Sequence, residues 1–214
     1  MKTFTVGNND KGKRLDKFLS KVMPYAPMSL IYKSLRKKHI KVNSKRVTDG
    51  NLKLNQGDIL EIYINDEFFS KTEKPFFAEI TPKLSVVYED ERIIVMNKPS
   101  GMLCQAEEGV ESLEVHMRSY LYKKGEFDYE KENTFIPSLC HRIDRNTSGL
   151  VIGAKDAEGL KILNEKIRKR EIRKFYLLRT QGIPKPKNGE LILYKLHSLN
   201  NNDMLTCSVY VPHS

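Results

Sequence analysis

The segment from His141 to Leu150 contains the residues whose types and spacing are best suited to chemistry. Its single carboxylate, Asp144, lies between Arg142 and Arg145, just before a turn of small polar residues and an apolar run. Arginines within about 4–6 Å lower the pKa of a carboxyl group and keep it ionised. An ionised carboxylate in a loop can act as a nucleophile, a general base or a metal ligand. The alternative, which is commoner for such an Asp, is a structural ion-pair cluster.

Other kinds of chemistry find little support in the sequence. The adjacent Cys140 and His141 are a poor ligand pair without zinc spacing, so we expect no metal. The chain has neither a Gly-Lys-Ser/Thr phosphate loop nor a GxGxxG motif, so we expect no nucleotide cofactor. Ser148, His141 and Asp144 lie within eight residues without a nucleophile elbow, which argues against a serine triad.

The net charge of +10 is concentrated in the first 60 residues. They contain 14 Lys and Arg against 4 Asp and Glu, whereas the remainder contains 23 of each sign. Such asymmetry indicates two functional parts, one of which meets a polyanion. The alternative is a basic domain whose charges are only solvated.

The composition also restricts the cellular context. Hydrophobic residues make up 39% of the chain, enough for a packed core, but no apolar run approaches the roughly 18 residues of a spanning helix. The first ten residues lack the apolar stretch of a signal peptide. Three cysteines cannot all pair with one another. We therefore expect a cytoplasmic protein with reduced thiols, no membrane contact and a monomeric state.

Two short helices and a small hairpin are predicted in the basic segment. Apolar spacing predicts a helix over 14–22, and Ser29 is the expected N-cap of a second helix. Residues 40–43 alternate like a strand, Ser44-Lys45 are predicted to make a turn from which 46–47 lead out, and 58–64 alternate like a further strand. Seven basic residues are expected to point outward: Lys33, Arg36, Lys37, Lys38, Lys41, Lys45 and Arg46. A face this basic suits the phosphate backbone of a nucleic acid.

The order of these elements resembles the ribosomal-S-four-type RNA-binding domain. The matching pieces are Arg14-Leu-Asp-Lys-Phe-Leu, Leu35-Arg-Lys-Lys-His-Ile-Lys-Val-Asn and Leu54-Asn-Gln-Gly-Asp-Ile-Leu. Members commonly carry a Gly after the second helix, where this chain has Lys38 or His39. The resemblance implies recognition of structured RNA by its shape and phosphates.

We predict an α+β protein, because strands and helices are both frequent without strict alternation. A small α/β RNA-binding domain is expected over 1–64, a connector containing several Phe over 65–84, and a second domain over 85–214. In the second domain, strands are predicted at 84–88, 92–97, 150–154 and 174–179, and helices at 111–122 and from an Asp156 cap to 170.

The run His141-Arg-Ile-Asp-Arg-Asn-Thr-Ser-Gly-Leu resembles the signature of the RluA-type pseudouridine synthases. Two further blocks agree: Val86-Val-Tyr-Glu-Asp-Glu-Arg-Ile-Ile-Val-Met-Asn-Lys-Pro-Ser-Gly-Met resembles the opening strands of the family, and Lys174-Phe-Tyr-Leu-Leu resembles its Tyr-bearing strand. With the N-terminal domain, the similarity covers about 14–180. It implies a mixed, mainly antiparallel sheet in the second domain.

The resemblance implies that the protein isomerises uridine to pseudouridine in RNA without cofactor or metal. Asp144 would be the catalytic carboxylate, attacking either the ribose anomeric carbon or the uracil ring. The target uridine would be flipped out of its stack, at a cost of a few kcal/mol. Arg142 would fill the gap, and Tyr176 would lie against the flipped uracil.

The family usually continues with a Gly-Arg-Thr-His-Gln-Ile-Arg block whose first Arg pairs with the catalytic Asp, and no such block precedes Ser214. We therefore expect a C-terminally truncated catalytic domain and little activity from the 214-residue chain. The expected partner is structured RNA, with large-subunit ribosomal RNA favoured by the N-terminal domain. The alternatives are a transfer RNA pseudouridine synthase and a non-catalytic RNA-binding module.

Overall fold

The computed structural model describes residues 1–69 and 74–177. The chain divides into two compact units, Met1–Lys166 and Ile167–Ser214. The first unit contains two four-stranded sheets, each with its own helices and its own hydrophobic core. Helices and antiparallel sheets together confirm the predicted α+β class.

The N-terminal part contains two helices and an antiparallel sheet with strand order β1-β4-β2-β3. Its elements are β1 Lys2–Thr5, α1 Leu15–Val22, α2 Met28–Arg36, β2 Ile40–Val42, β3 Lys45–Arg46 and β4 Ile59–Ile62. The helical spacing predicted over 14–22 is confirmed, because Leu15, Phe18 and Leu19 are completely buried. Each such side chain contributes roughly 1.5–3 kcal/mol through burial.

The start of α2 differs from the prediction that Ser29 would be its N-cap. Pro27 holds that position with extended backbone angles, and the helix begins at Met28. The Pro27 carbonyl accepts hydrogen bonds from the N–H groups of Leu30 and Ile31, at 2.9 and 3.3 Å. Because the Pro27 carbonyl accepts these hydrogen bonds, the N-cap of α2 lies two residues earlier than predicted.

The end of α2 places Lys38 in the position where related domains commonly have Gly. Lys38 has φ +59°, the left-handed conformation that terminates many helices. The Lys38 N–H bonds the Leu35 carbonyl and the His39 N–H bonds the Ser34 carbonyl, both at 2.9 Å. A side chain in this conformation costs roughly 1–2 kcal/mol, so the sequence keeps a lysine here against backbone preference.

Residues at both ends of the undescribed 70–73 segment belong to the two cores. Phe69 packs into the N-terminal core, and Phe77 in the short helix α3, Phe76–Glu79, packs into the second core. The partial order predicted for the Phe-containing connector is therefore confirmed at these two positions.

The second sheet is antiparallel, with strand order β5-β6-β8-β7. Its strands are β5 Val86–Glu89, β6 Ile93–Lys98, β7 Ser138–Leu139 and β8 Gly149–Ala154, and its helices are α4 Leu113–Lys123 and α5 Ala157–Arg168. Ser112 caps α4 by accepting from the Val115 N–H. Asp156 caps α5, as predicted, by accepting from the Gly159 N–H at 2.5 Å.

Gly153 allows α4 to approach the centre of β8. A Cβ at this position would overlap Sδ of Met117, a fully buried residue of α4. The glycine in the apolar run of β8 is therefore required by close packing.

The prediction of a strand beginning at Lys174 is wrong for residues 174–177, which have no regular secondary structure. Phe175 and Leu177 are exposed, and no ladder pairs these residues with another described strand. Residues 178–179 of the predicted strand lie outside the described residues. Among the helices that the structure describes, none has the length and apolar character to cross a membrane.

Candidate active site

Asp144 lies in the loop that joins β7 to β8, with its side chain exposed. The Thr147 N–H bonds the Asp144 backbone carbonyl at 3.1 Å and closes a tight turn directly after it. The turn of small polar residues predicted from the sequence is therefore present.

A second loop, Pro99–Cys104, braces the Asp144 loop from the end of β6. The two loops meet because β6 and β8 are antiparallel partners, with Lys98 opposite Gly149. The Gly101 N–H bonds the Arg145 carbonyl at 2.9 Å, and Nε of Arg145 bonds the Gly101 carbonyl at 3.0 Å. The hydroxyl of Ser100 donates to the Asn146 carbonyl at 2.9 Å.

Lys98 is the buried cation that ties the two loops together. Its side chain is completely buried, and Nζ donates to the carbonyls of Pro99, Met102 and Arg145 at 3.0, 2.8 and 2.9 Å. An ammonium group has three protons, so all of its donors are satisfied by backbone oxygens. A buried charge is tolerated only when it is bonded in this way.

Cys104 provides a further anchor on the N-terminal side of Asp144. Its buried thiol lies 3.3 Å from both the N–H and the carbonyl of Ile143. The backbone on both sides of Asp144 is therefore held, at Ile143 by Cys104 and at Arg145 by Lys98 and Gly101. Such support preorganises a side chain for chemistry.

The other polar residues of the motif hold the loop in place. Nε2 of His141 accepts from the Ile152 N–H at 3.3 Å, and the Cys140 N–H bonds the Ile152 carbonyl at 2.8 Å. Burial raises the pKa of the Cys140 thiol to about 11, so it is protonated at neutral pH. Within the described residues, no group of three His, Cys, Asp or Glu could hold a metal ion.

The carboxylate of Asp144 has neither an ion pair nor a hydrogen-bond partner among residues 1–69 and 74–177. Nε of Arg145 bonds the Gly101 carbonyl instead, and no ion pair joins Arg142 to Asp144. The alternative prediction, that Asp144 belongs to a structural ion-pair cluster, is therefore wrong for the part of the chain that the structure describes.

The third predicted catalytic residue, Tyr176, belongs to the second unit, where 53% of its surface is exposed. Its predicted role beside a flipped uracil stays a prediction.

The predicted RNA-binding residues come from adjacent elements of the N-terminal part. Lys33 and Arg36 are on α2, Lys37 and Lys38 follow it, Lys41 is on β2, and Lys45 and Arg46 form β3. Six are exposed, whereas Lys41 is half-buried. Nζ of Lys41 lies 3.1 Å from a Glu61 carboxylate oxygen and 3.0 Å from the Tyr63 hydroxyl, so its charge is partly compensated.

Sequence reasoning missed the roles of Lys98 and Cys104. A signal was present for Lys98, because alternation along β6 puts it on the same face as the buried Ile94 and Met96. The contact of Cys104 with Ile143 has no local signal, since the two residues are 39 positions apart.

Two family models match this chain. The family model described as RNA pseudouridylate synthase matches residues 92–203, and the S4 domain model matches residues 13–60. The chain belongs to the RNA pseudouridylate synthase family.

Curated relatives show the same similarity over most of this chain. An uncharacterized RNA pseudouridine synthase of Mycoplasma capricolum is 38% identical over 82% of this chain and 58% of its own length. The ribosomal large subunit pseudouridine synthase C of Haemophilus ducreyi is 32% identical over 84% and 54%. Among solved structures, human RNA pseudouridylate synthase domain containing 4 aligns over 41% of this chain and 30% of its own, at 23% identity and a TM-score of 0.32. The chain thus spans less than two thirds of the length of each of these relatives.

Proposed function

We propose that the protein is an RNA pseudouridine synthase in which Asp144 is the catalytic carboxylate. The observation that carries this proposal is an exposed carboxylate without a partner among the described residues, on a loop held at both sides by Cys104, Lys98 and Gly101. A structural carboxylate would be expected to use its oxygens within the fold.

The reaction is an isomerisation and needs no external oxidant, reductant or group donor. The bond between uracil nitrogen and the anomeric carbon breaks, the base rotates, and a bond from a ring carbon to the same anomeric carbon forms. That ring carbon loses its proton and the released nitrogen gains one. Asp144 attacks either the anomeric carbon or the uracil ring and is regenerated in both routes.

The target base must leave its stack to reach Asp144, because a stacked uridine hides the reacting atoms. Arg142, two residues away and exposed, is suited to enter the vacated space. Tyr176 supplies an aromatic face of the kind that stacks on any base, at roughly 1–3 kcal/mol per base.

The substrate class follows from the N-terminal part. Its seven basic residues offer charge to a phosphate backbone, and residues 13–60 match the S4 domain. Since the relative from Haemophilus ducreyi is named for the ribosomal large subunit, we propose ribosomal RNA of that subunit as the substrate and the cytoplasm as the place of action.

The decisive experiment replaces Asp144 by Asn in the chromosome of the organism that makes the protein and maps pseudouridine in its RNAs. The modification is expected to disappear at the sites that the protein serves, with RNA affinity retained. Glu108→Gln is the matched control, because Glu108 is another exposed acidic residue with no described contact. Retention of every pseudouridine in the Asp144→Asn strain would favour a non-catalytic RNA-binding module. Loss confined to transfer RNA would reassign the substrate.

A further inference from the structure

A basic cleft opens between the N-terminal part and the second sheet within the first unit. Its volume is about 530 Å³, and its charged lining residues are Lys13, Lys21, Arg118 and Lys161. None of the acidic side chains that the structure describes lines it. The first two come from the N-terminal part, the others from α4 and α5.

Two of the four cations are fixed by the fold. Lys13 bonds the Thr134 hydroxyl and lies 3.4 Å from a carboxylate oxygen of Asp10. Arg118 donates to the Pro137 carbonyl at 2.9 Å and pairs with Glu114 at 3.0 Å. These contacts define the wall of the cleft and leave little of their charge for a ligand.

The other two cations, Lys21 and Lys161, are exposed and have no ion pair or hydrogen bond among the described residues. They approach one space from parts of the chain 140 positions apart, α1 and α5. Like charges brought together without a counter-ion repel each other, and a bound anion removes that repulsion.

The cleft is preformed, because hydrogen bonds link its two sides. The buried carboxylate of Asp10 accepts from the Thr134 hydroxyl and from Nδ2 of Asn133, the latter at 2.9 Å. Asn9 donates to Glu132 at 2.8 Å and accepts from the Ala157 N–H at 2.9 Å. A ligand in the cleft therefore meets charges that are already in position.

We propose that this cleft binds the phosphodiester backbone of the RNA substrate, as a contact separate from the basic face on α2, β2 and β3. Polar Asn164 and Ser138 and half-exposed Ile136 add the mixed lining that a nucleotide chain needs. An RNA strand in the cleft touches the N-terminal part and the second part at once. It therefore holds the docked RNA against the second sheet, at the end of β8 opposite to the Asp144 loop.

This proposal takes RNA as the ligand from the proposed function, and its test reads binding alone. The full chain carrying Lys21→Gln and Lys161→Gln is titrated with an in vitro transcript of large-subunit ribosomal RNA at several salt concentrations. Each lost phosphate contact lowers the slope of log affinity against log salt by roughly 0.7–0.9. The double variant is expected to bind roughly tenfold more weakly near physiological salt, with a slope shallower by about 1.4–1.8.

The matched control is Lys83→Gln with Lys123→Gln, which removes the same charge at two exposed lysines that, like Lys21 and Lys161, have no ion pair among the described residues and that do not line the cleft. Its salt slope is expected to stay within about 0.3 of the original, because a general charge effect is weak at a distance. Equal slopes for the cleft variant and the original overturn the proposal. If Asp144→Asn leaves pseudouridine unchanged while the cleft variant loses RNA affinity, the proposed catalytic role of Asp144 is wrong and the proposed RNA contact in the cleft is supported.

Discussion

Two clefts in the first unit differ in charge and in how that charge is used. The basic cleft has four cations, whereas a second cleft of about 650 Å³ has six carboxylates and two lysines, Lys124 and Lys155. Both lysines of the acidic cleft are paired: Lys155 pairs with Glu89 and Glu126, and Lys124 pairs with the same two residues. Lys21 and Lys161 have no such partners among the described residues.

The comparison separates charges that hold the fold from charges that await a ligand. Glu89 shows the first kind: burial raises its pKa, but hydrogen bonds from Lys155, Lys124 and Tyr120 outweigh burial and bring it from 4.5 to about 2. Asp144, which has no partner among the described residues, is our proposed example of the second kind. Paired charges should govern stability, and unpaired ones should govern RNA binding and catalysis.

The largest expected effect on stability is at Lys98. Lys98→Met keeps the length of the side chain but leaves three buried carbonyls without their donor, so the free energy of unfolding should fall by about 3 kcal/mol. Denaturant titration measures this change. Lys123→Met, the same substitution at an exposed site, should change stability by less than about 0.5 kcal/mol. Equal effects of the two substitutions would show that the buried charge of Lys98 does not stabilise the fold.

A smaller, pH-dependent effect is expected at Glu89. Glu89→Gln should lower the free energy of unfolding by about 2 kcal/mol at pH 7, since it weakens bonds to two lysines. Because the folded-state pKa is depressed, the carboxylate stabilises the fold above pH 4.5, and this contribution is lost as the pH falls towards 2.

The measurement is the difference in unfolding free energy between the original chain and Glu89→Gln at pH 7, 4 and 3. The difference should narrow with falling pH. Glu91→Gln, at an exposed carboxylate of the same cleft, should show almost no difference at any of these values. A constant difference for Glu89→Gln would show that its charge is not what stabilises the fold.

The smallest effect is expected at Lys38 and has opposite signs for stability and binding. Lys38→Gly should raise the free energy of unfolding by about 0.5 kcal/mol, because Gly adopts φ +59° without a steric penalty. It should also weaken RNA binding, since a cation is lost. Lys37→Gly, at a residue with φ −79°, should lower both the free energy of unfolding and the affinity for RNA. Thermal unfolding and RNA titration compare the two variants. A loss of stability in Lys38→Gly would show that Lys38 is not strained in its left-handed conformation.

Local patterns predicted much of the fold. The periodicity of 14–22 located α1, because burial in this helix follows the sequence period, and the apolar runs within 92–97 and 150–154 located β6 and β8. The prediction that Ser29 caps α2 was wrong because the Pro27 carbonyl already accepts the first hydrogen bonds of the helix. The hydrogen bond from Lys98 to Arg145 joins residues 47 positions apart, and the basic cleft is lined by Lys21 and Lys161, which are 140 positions apart. No local pattern encodes such long-range arrangements.

The most direct test of the distinction between paired and unpaired charges is Asp144→Asn, assayed for pseudouridine and for stability together. We predict that pseudouridine is lost at the target sites while the free energy of unfolding stays within about 0.5 kcal/mol of the original, as expected for an exposed side chain without partners. Pseudouridine at its original level, or a loss of stability of about 2 kcal/mol, would show that Asp144 is a structural residue after all.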